Sequence, residues 1–316
     1  MADRGSRDVR DDGRSGGHGY AHIVGLRRRA GKDGAQVDVV HATQFQTGRP
    51  LTAWHSLGTP HPGDRAKAER TGAPAAAVDS SGAVHVFVRN AGRGVSTRRQ
   101  DAKGKWGGWT DLKGTEVLDG LSAAATADGR VELFAPAGRG AALRWYQPEP
   151  GGALQRGEDI PARLQAGSAS AVESSRDTVT HYWRDADGGG VLAWRPDAPA
   201  TASLGGGVAG SGPVAVVRAP VDGHDCVVLA HRDTGSGRPA VAAHPAEDEA
   251  AGVWWTLSGE AGAHTPALAL DGLGRVVLAA VALDGGLLVA RQRTDERGLA
   301  LRAWSRVSDA VERRTG

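Results

Sequence analysis

One phrase recurs along the chain at nearly even intervals: a Trp or small residue, one or two polar residues, then Leu-Gly. It reads AWHSLG (53–58), GWTDLKG (108–114), TASLGG (201–206) and WWTLSG (254–259), with weaker forms RGEDI (156–160) and AWSRV (303–307). Anchored on Trp109, Glu158, Leu204, Trp255 and Trp304, successive intervals are 49, 46, 51 and 49 residues. A period near 48 is too long for leucine-rich or ankyrin arrays and matches one four-stranded propeller blade.

The segments between these anchors read as strands. About nine residues after each Leu-Gly comes a run of small residues: PAAAVD (74–79), LSAAATAD (121–128), SASAVE (168–173), PVAVVR (213–218) and PALALD (266–271). Inner blade strands converge on a crowded axis, which selects Ala, Ser and Val. An Asp- and Gly-rich turn then leads to a more apolar strand, VHVFV (84–88), VELFA (131–135), TVTHYW (178–183), CVVLAH (226–231) and VVLAA (276–280). A hairpin leads on to VSTRRQ (95–100), ALRWYQ (142–147), VLAWRP (191–196) or LLVARQ (287–292), three of which end in Gln. Short apolar runs bounded by turn residues are the strand signature, and windows at helical spacing are nearly absent. The expected fold is all-β, a β-propeller of about six four-stranded blades, with seven as the alternative.

The first repeat is less complete. Its Asp33-Gly34 turn precedes Trp54 by 21 residues, close to the 20 between Asp284 and Trp304, so 21–29 and 36–44 should be its second and third strands. Its innermost strand would come from residues 6–12 or be missing. The expected organisation is a flexible N-terminal segment (1–18) that could contribute an inner strand, a propeller (19–307) and a C-terminal tail (308–316).

Composition narrows the function classes. Lys plus Arg (38) nearly balance Asp plus Glu (36), which gives no electrostatic case for a nucleic-acid partner. Cys226 is the sole cysteine, so neither an intrachain disulfide nor a cysteine-based metal cluster is expected. The charged N-terminus lacks the apolar core of a secretory signal, and no stretch reaches the length of a membrane span. A cytoplasmic protein with no membrane partner is expected, export requiring a non-classical route.

Among candidate functional residues, Trp54, Trp109, Trp255 and Trp304 share one repeat position and should pack between blades. Trp145, Trp183 and Trp194 fall outside that register and are the indoles expected to face a ligand. HYWRDAD (181–187) and AHRDTG (230–235) place Arg184, Asp185, His231, Arg232 and Asp233 at matching hairpin ends, where a turn role competes with ligand contact. Asp185, Asp187 and Gly188 loosely follow a calcium loop, but Gly189 stands at the third acidic position and no bidentate Glu follows. No Asp-box, Gly-x-Ser-x-Gly elbow or phosphate loop occurs, and no metal or cofactor is expected. Arg27, Arg28 and Arg29 lie at a strand end, where charge discourages edge pairing.

Through Pro74, Asp79, Val86, Phe87, Val88, Arg89, Gln100, Trp106, Trp109 and Leu112, the second repeat resembles the PLL-like family of bacterial propeller lectins. The resemblance extends over most of 19–307 and is strongest in the second, fifth and sixth repeats. It implies a propeller, typically seven-bladed, that binds fucose or methylated sugars between blades by stacking them on aromatic side chains. The function it implies is non-enzymatic recognition of a glycan or small-molecule ligand. A protein-interaction scaffold and an enzyme with a site at the axial channel, using Arg89, Asp185, His231 and Asp233, are the alternatives.

Overall fold

A computed structural model of the chain describes residues 20–31, 35–198, 200–205 and 210–308. It forms two compact units, Met1–Ala162 and Arg163–Gly316, each of which carries three antiparallel sheets. In the first unit these are β1 (Ala21–Arg29), β2 (Gln36–Gln44) and β3 (His55–Gly58); β4 (Ala75–Val78), β5 (Val84–Arg89), β6 (Val95–Arg99) and β7 (Thr110–Lys113); and β8 (Ser122–Ala125), β9 (Val131–Ala137), β10 (Ala141–Tyr146), β11 (Gln155–Arg156) and β12 (Ile160–Pro161). In the second they are β13 (Ser170–Ser175), β14 (Thr178–Arg184), β15 (Val191–Trp194) and β16 (Ala202–Ser203); β17 (Gly210–Val221), β18 (His224–Asp233), β19 (Pro239–Pro245) and β20 (Thr256–Leu257); and β21 (Ala267–Leu270), β22 (Val276–Val281), β23 (Leu287–Arg293), β24 (Ala300–Leu301) and β25 (Ser305–Ser308). Each sheet is one repeat folded as an up-and-down meander, a blade. The described residues hold six such sheets where the PLL-like resemblance implies seven. The first sheet has three strands among the described residues, and both the Asp33-Gly34 turn and the 6–12 segment expected to complete it lie outside them.

The recurring residues have identifiable work in each blade. In the first, second and fourth blades the leucine of the phrase (Leu57, Leu112, Leu204) packs on the layer between successive blades and the next residue turns left-handed, whereas Leu257 of the fifth blade is 36% exposed. Leu57 and Leu204 are fully buried, with Gly58 at φ 67° and Gly205 at φ 76° behind them. Val39 and Val40 lie opposite Gly58 and Ser56, while Val95 and Ser96 lie opposite Lys113 and Asp111, so each outer strand carries a bulge at this point. Bulges call for such a backbone, which glycine adopts at least cost. Lys113 adopts it without being glycine, at φ 66°.

The terminal glutamines close the third strand onto the second. Gln100, Gln147 and Gln292 accept, through Oε1, the backbone N–H of Val84, Val131 and Val276 at 3.1, 2.7 and 3.0 Å. All three valines are completely buried, and a buried donor without an acceptor is expensive. The apolar interior lies in layers between neighbouring blades. Val24, Val39, Leu57, Val84, Val86 and Val88 fill the first layer, and Phe87, Val117, Leu133, Leu143 and Trp145 belong to the next. Tyr182, Leu204, Val214 and Leu229 pack between the fourth and fifth blades, and Val228, Ala230, Val276 and Leu278 between the fifth and sixth.

Candidate functional site: grooves between blades

The indoles divide by what they pack against. Trp109 donates its Nε1–H to the carbonyl of Leu57 at 2.9 Å, and Trp304 donates to Ser258 Oγ at 3.1 Å. Together with Trp255 these rings pack on the interblade layers, as their shared register predicts. Trp54 departs from that expectation and is 40% exposed.

Trp145, expected to face a ligand, is buried, and its Nε1–H donates to the carbonyl of Leu112 at 3.2 Å. The outer strand of the third blade has no Trp, and Trp145, on β10, makes the backward bond that Trp109 makes from its own blade. Arg156 covers its ring, 4.9 Å from the centroid. Trp183 is also fully buried and presents no face to solvent. Trp194, half-buried on β15, stacks against His181 at 6.0 Å between centroids.

The hairpin-end residues are engaged in backbone contacts. Asp185 Oδ2 accepts the N–H of Gly188 at 2.9 Å, and Asp187 pairs with Arg163 at 2.8 Å, so the loosely calcium-like carboxylates serve a turn and an ion pair. Asp233 Oδ2 accepts the hydroxyl and N–H of Ser236 at 2.5 and 2.7 Å, and these bonds lower its pKa. Arg232 Nε donates to the carbonyl of Gly262 at 2.9 Å, at the entry to the following blade. Arg184 does the same toward Gly212 at 3.2 Å, and Arg89 holds Asp119 at 2.8 and 3.1 Å. Arg89 and Arg184 end the second strand of their blades and Arg232 stands one residue before the end of its own, each opposite the first residue of the third strand: Val95, Val191 and Pro239.

Arg184 and His231 come together across Gly210. A Cβ on that glycine would lie 2.2 Å from Arg184 Nη1 and 2.4 Å from His231 Nδ1, which leaves the two nitrogens no more than about 4.6 Å apart. Both side chains are fully buried, and neither the guanidinium Nη atoms nor the imidazole nitrogens have a hydrogen-bond partner among the described residues. The His231 ring meets Trp255 edge-on at 4.5 Å. Burial, with Arg184 beside it, lowers the His231 pKa to about 4, and burial lowers that of Arg184 to about 10.

Two open grooves occur at equivalent places in the repeat. One lies between the second and third blades, with a cavity of about 640 Å³; the other lies between the fifth and sixth, with about 580 Å³. Each is walled by the hairpin joining the first two strands of its blade, by part of the third strand, by the segment leading into or carrying the outer Trp phrase, and by a loop of the next blade that includes Gly151 or Gly298. Both volumes suit a small ligand.

In the second–third groove, His85 donates its Nε2–H to Asp79 Oδ2 at 3.1 Å, and its Nδ1 has no hydrogen-bond partner among the described residues. Burial pushes the Asp79 carboxyl up, but hydrogen bonds from His85, Ser81 and Ala83 outweigh it and take the pKa to about 2. Trp106 forms part of the wall. In the fifth–sixth groove, Trp254 is 87% exposed beside Thr256, Ser258, His224 and His244. His244 is buried, with Nδ1 2.7 Å from the Pro245 carbonyl and Nε2 3.2 Å from the Tyr182 hydroxyl, a pattern that makes Nδ1 the donor and Nε2 the acceptor.

Trp254, His85 and His244 were not singled out by their sequence positions, and Trp106 entered only among the residues that carry the resemblance. A signal existed for Trp254: adjacent residues of an extended strand face opposite ways, so of the pair Trp254-Trp255 only one could enter the core.

No protein-family model matches the chain, and no curated protein matches it. Solved structures do, and they define the fold as a β-propeller. The BP39L lectin from Burkholderia pseudomallei is similar at a TM-score of 0.62 and 15% identity, over 92% of this chain and 82% of that one. A fungal lectin, the Aleuria aurantia lectin, described as a six-bladed β-propeller with a novel fucose recognition mode, is similar at 0.50 and 12%, over 90% and 96%. The Hadza microbial sialidase Hz136 is similar at 0.56 and 15%, over 82% of this chain and 60% of that one. At these identities the likeness is one of fold, and it includes both lectins and an enzyme.

Proposed function

We propose that the protein is a non-enzymatic glycan-recognition module that holds saccharides in the grooves between successive blades. The observation that carries this reading is the Trp254 indole, 87% exposed on the wall of a largely apolar groove that also presents Thr256, Ser258 and His224. A flat apolar face beside convergent polar groups suits the C–H face and hydroxyls of a sugar ring. The second–third groove has Trp106 in its wall, although that ring also packs on the interblade layer, and it supplies a second place for a ligand. The lectins among the similar solved structures favour the same class by analogy. Against catalysis at the hairpin ends, Asp185 and Asp233 are occupied in turns and Arg89 in an ion pair.

The test is a glycan array followed by calorimetric titration with α-methyl fucoside and other methyl glycosides. Binding is expected, and Trp254→Ala should weaken it at least tenfold in the fifth–sixth groove without changing the unfolding temperature. An array with no binder would overturn the reading. The protein-scaffold alternative would then gain if the same variant abolished capture of a stoichiometric protein partner, because an exposed Trp also suits an interface hot spot.

A further inference from the structure

The two equivalent grooves differ in hydrogen-bonding character. In the second–third groove both oxygens of Asp79 are occupied: Oδ1 accepts the Ser81 and Ala83 N–H groups at 2.9 and 3.0 Å, and Oδ2 meets His85. Asp101 Oδ1 accepts the N–H groups of Lys103 and Lys105 at 2.9 Å each. Three of these four carboxylate oxygens are thus bonded within the chain itself, Asp101 Oδ2 being the fourth. The cations keep free donors. Arg99 uses Nη1 on the Gly151 carbonyl at 3.1 Å and keeps the rest of its fork, and the Lys105 ammonium has no ion pair among the described residues. Both side chains are exposed at the rim. The fifth–sixth groove is lined by no Lys or Arg and carries the carboxylate of Asp222.

A groove with mostly bonded carboxylates and free cationic donors favours a ligand that brings its own negative acceptor, since charge-assisted bonds to a carboxylate are the strongest available and the planar guanidinium fork matches one. Resting on the glycan-recognition reading, we infer that the groove between the second and third blades selects carboxylated saccharides of the uronic-acid class, while its counterpart takes neutral ones. The two copies of the site have therefore diverged in ligand class while keeping the same frame.

The experiment is titration of the full chain with methyl β-glucuronide and methyl β-glucoside in parallel, at low and at high salt. The glucuronide is expected to bind at least fivefold more tightly at low salt. That preference should fall toward unity at about 0.5 M salt, where the screening length is only a few ångströms. It should also be lost in Arg99→Gln/Lys105→Gln, whose native unfolding temperature confirms the fold. Equal affinity for the two sugars, or a preference that survives the double variant, would overturn the inference. If neutral glycosides bind and the glucuronide does not, only this inference falls. If no saccharide of either kind binds, the glycan-recognition reading falls with it.

Discussion

The indole N–H of Trp145 and the carbonyl of Leu112 stand 3.2 Å apart, joining the third strand of one blade to the outer strand of the blade before it. Gly114 lies under the same ring: a Cβ there would come within 3.1 Å of the indole, and φ is +97°. Trp145→Phe should cost about 1 kcal/mol by removing the donor, and Trp145→Ala about 3–5 kcal/mol by opening a cavity. Urea unfolding checks both, and a cost below 1 kcal/mol for the alanine variant would show that the ring is not a core element.

Acid should loosen the second unit through His231. Its folded pKa, about 4, lies below the unfolded value of 6.5, so the folded state binds fewer protons. The associated stability is fully present above about pH 6.5 and is lost as pH falls from there through about 4, a total of about 3 kcal/mol. His41 in the first unit follows the same sign, its pKa lowered to about 4 by burial and by the neighbouring His22 and His55. Unfolding free energy measured between pH 7.5 and 3.5 should therefore decline, and His231→Gln should flatten part of the decline.

Gly210 should tolerate no side chain. A Cβ would strike Arg184 Nη1 and His231 Nδ1 together, and both partners are fully buried. Gly210→Ala is expected to cost about 1–3 kcal/mol. Shortening the arginine in Gly210→Ala/Arg184→Met should recover part of that loss, and strictly additive effects would rule out the proposed contact.

Removing a strand-closing glutamine should be disproportionately damaging for a polar residue. Gln147→Leu strips the acceptor from the buried Val131 N–H, and about 1–3 kcal/mol should be lost. Hydrogen exchange at the Val131 amide would accelerate in the same variant.

The blade pattern was legible because repetition amplifies weak local signals. One Leu-Gly pair means little, but its return fixes both a buried leucine and a left-handed residue behind it, as Leu57-Gly58 and Leu204-Gly205 show. The trailing glutamines were visible too, although their partners were not, since Gln100 and Val84 meet only after the hairpin forms. The grooves were harder to foresee. Departure from register was read as a sign of ligand contact, yet Trp145 departs because the outer strand of its blade lacks a Trp and a neighbouring strand supplies the indole instead. Arg184, Arg232 and Asp233 look chemically rich in sequence because hairpin ends need donors and acceptors for the backbone. Trp254 stayed hidden beside Trp255: one indole packs on the interblade layer and its neighbour is 87% exposed, a difference of geometry and not of composition.

The arginine contacts at the ends of the second strands bear on how the chain is made. Arg89 reaches a partner 30 residues later in sequence, Arg184 one 28 later and Arg232 one 30 later. Each reach is shorter than a single repeat. A ribosome emitting this chain would thus release every clasp's second half soon after its first, and the nascent protein could fasten blade to blade in the order of translation without waiting for its far end.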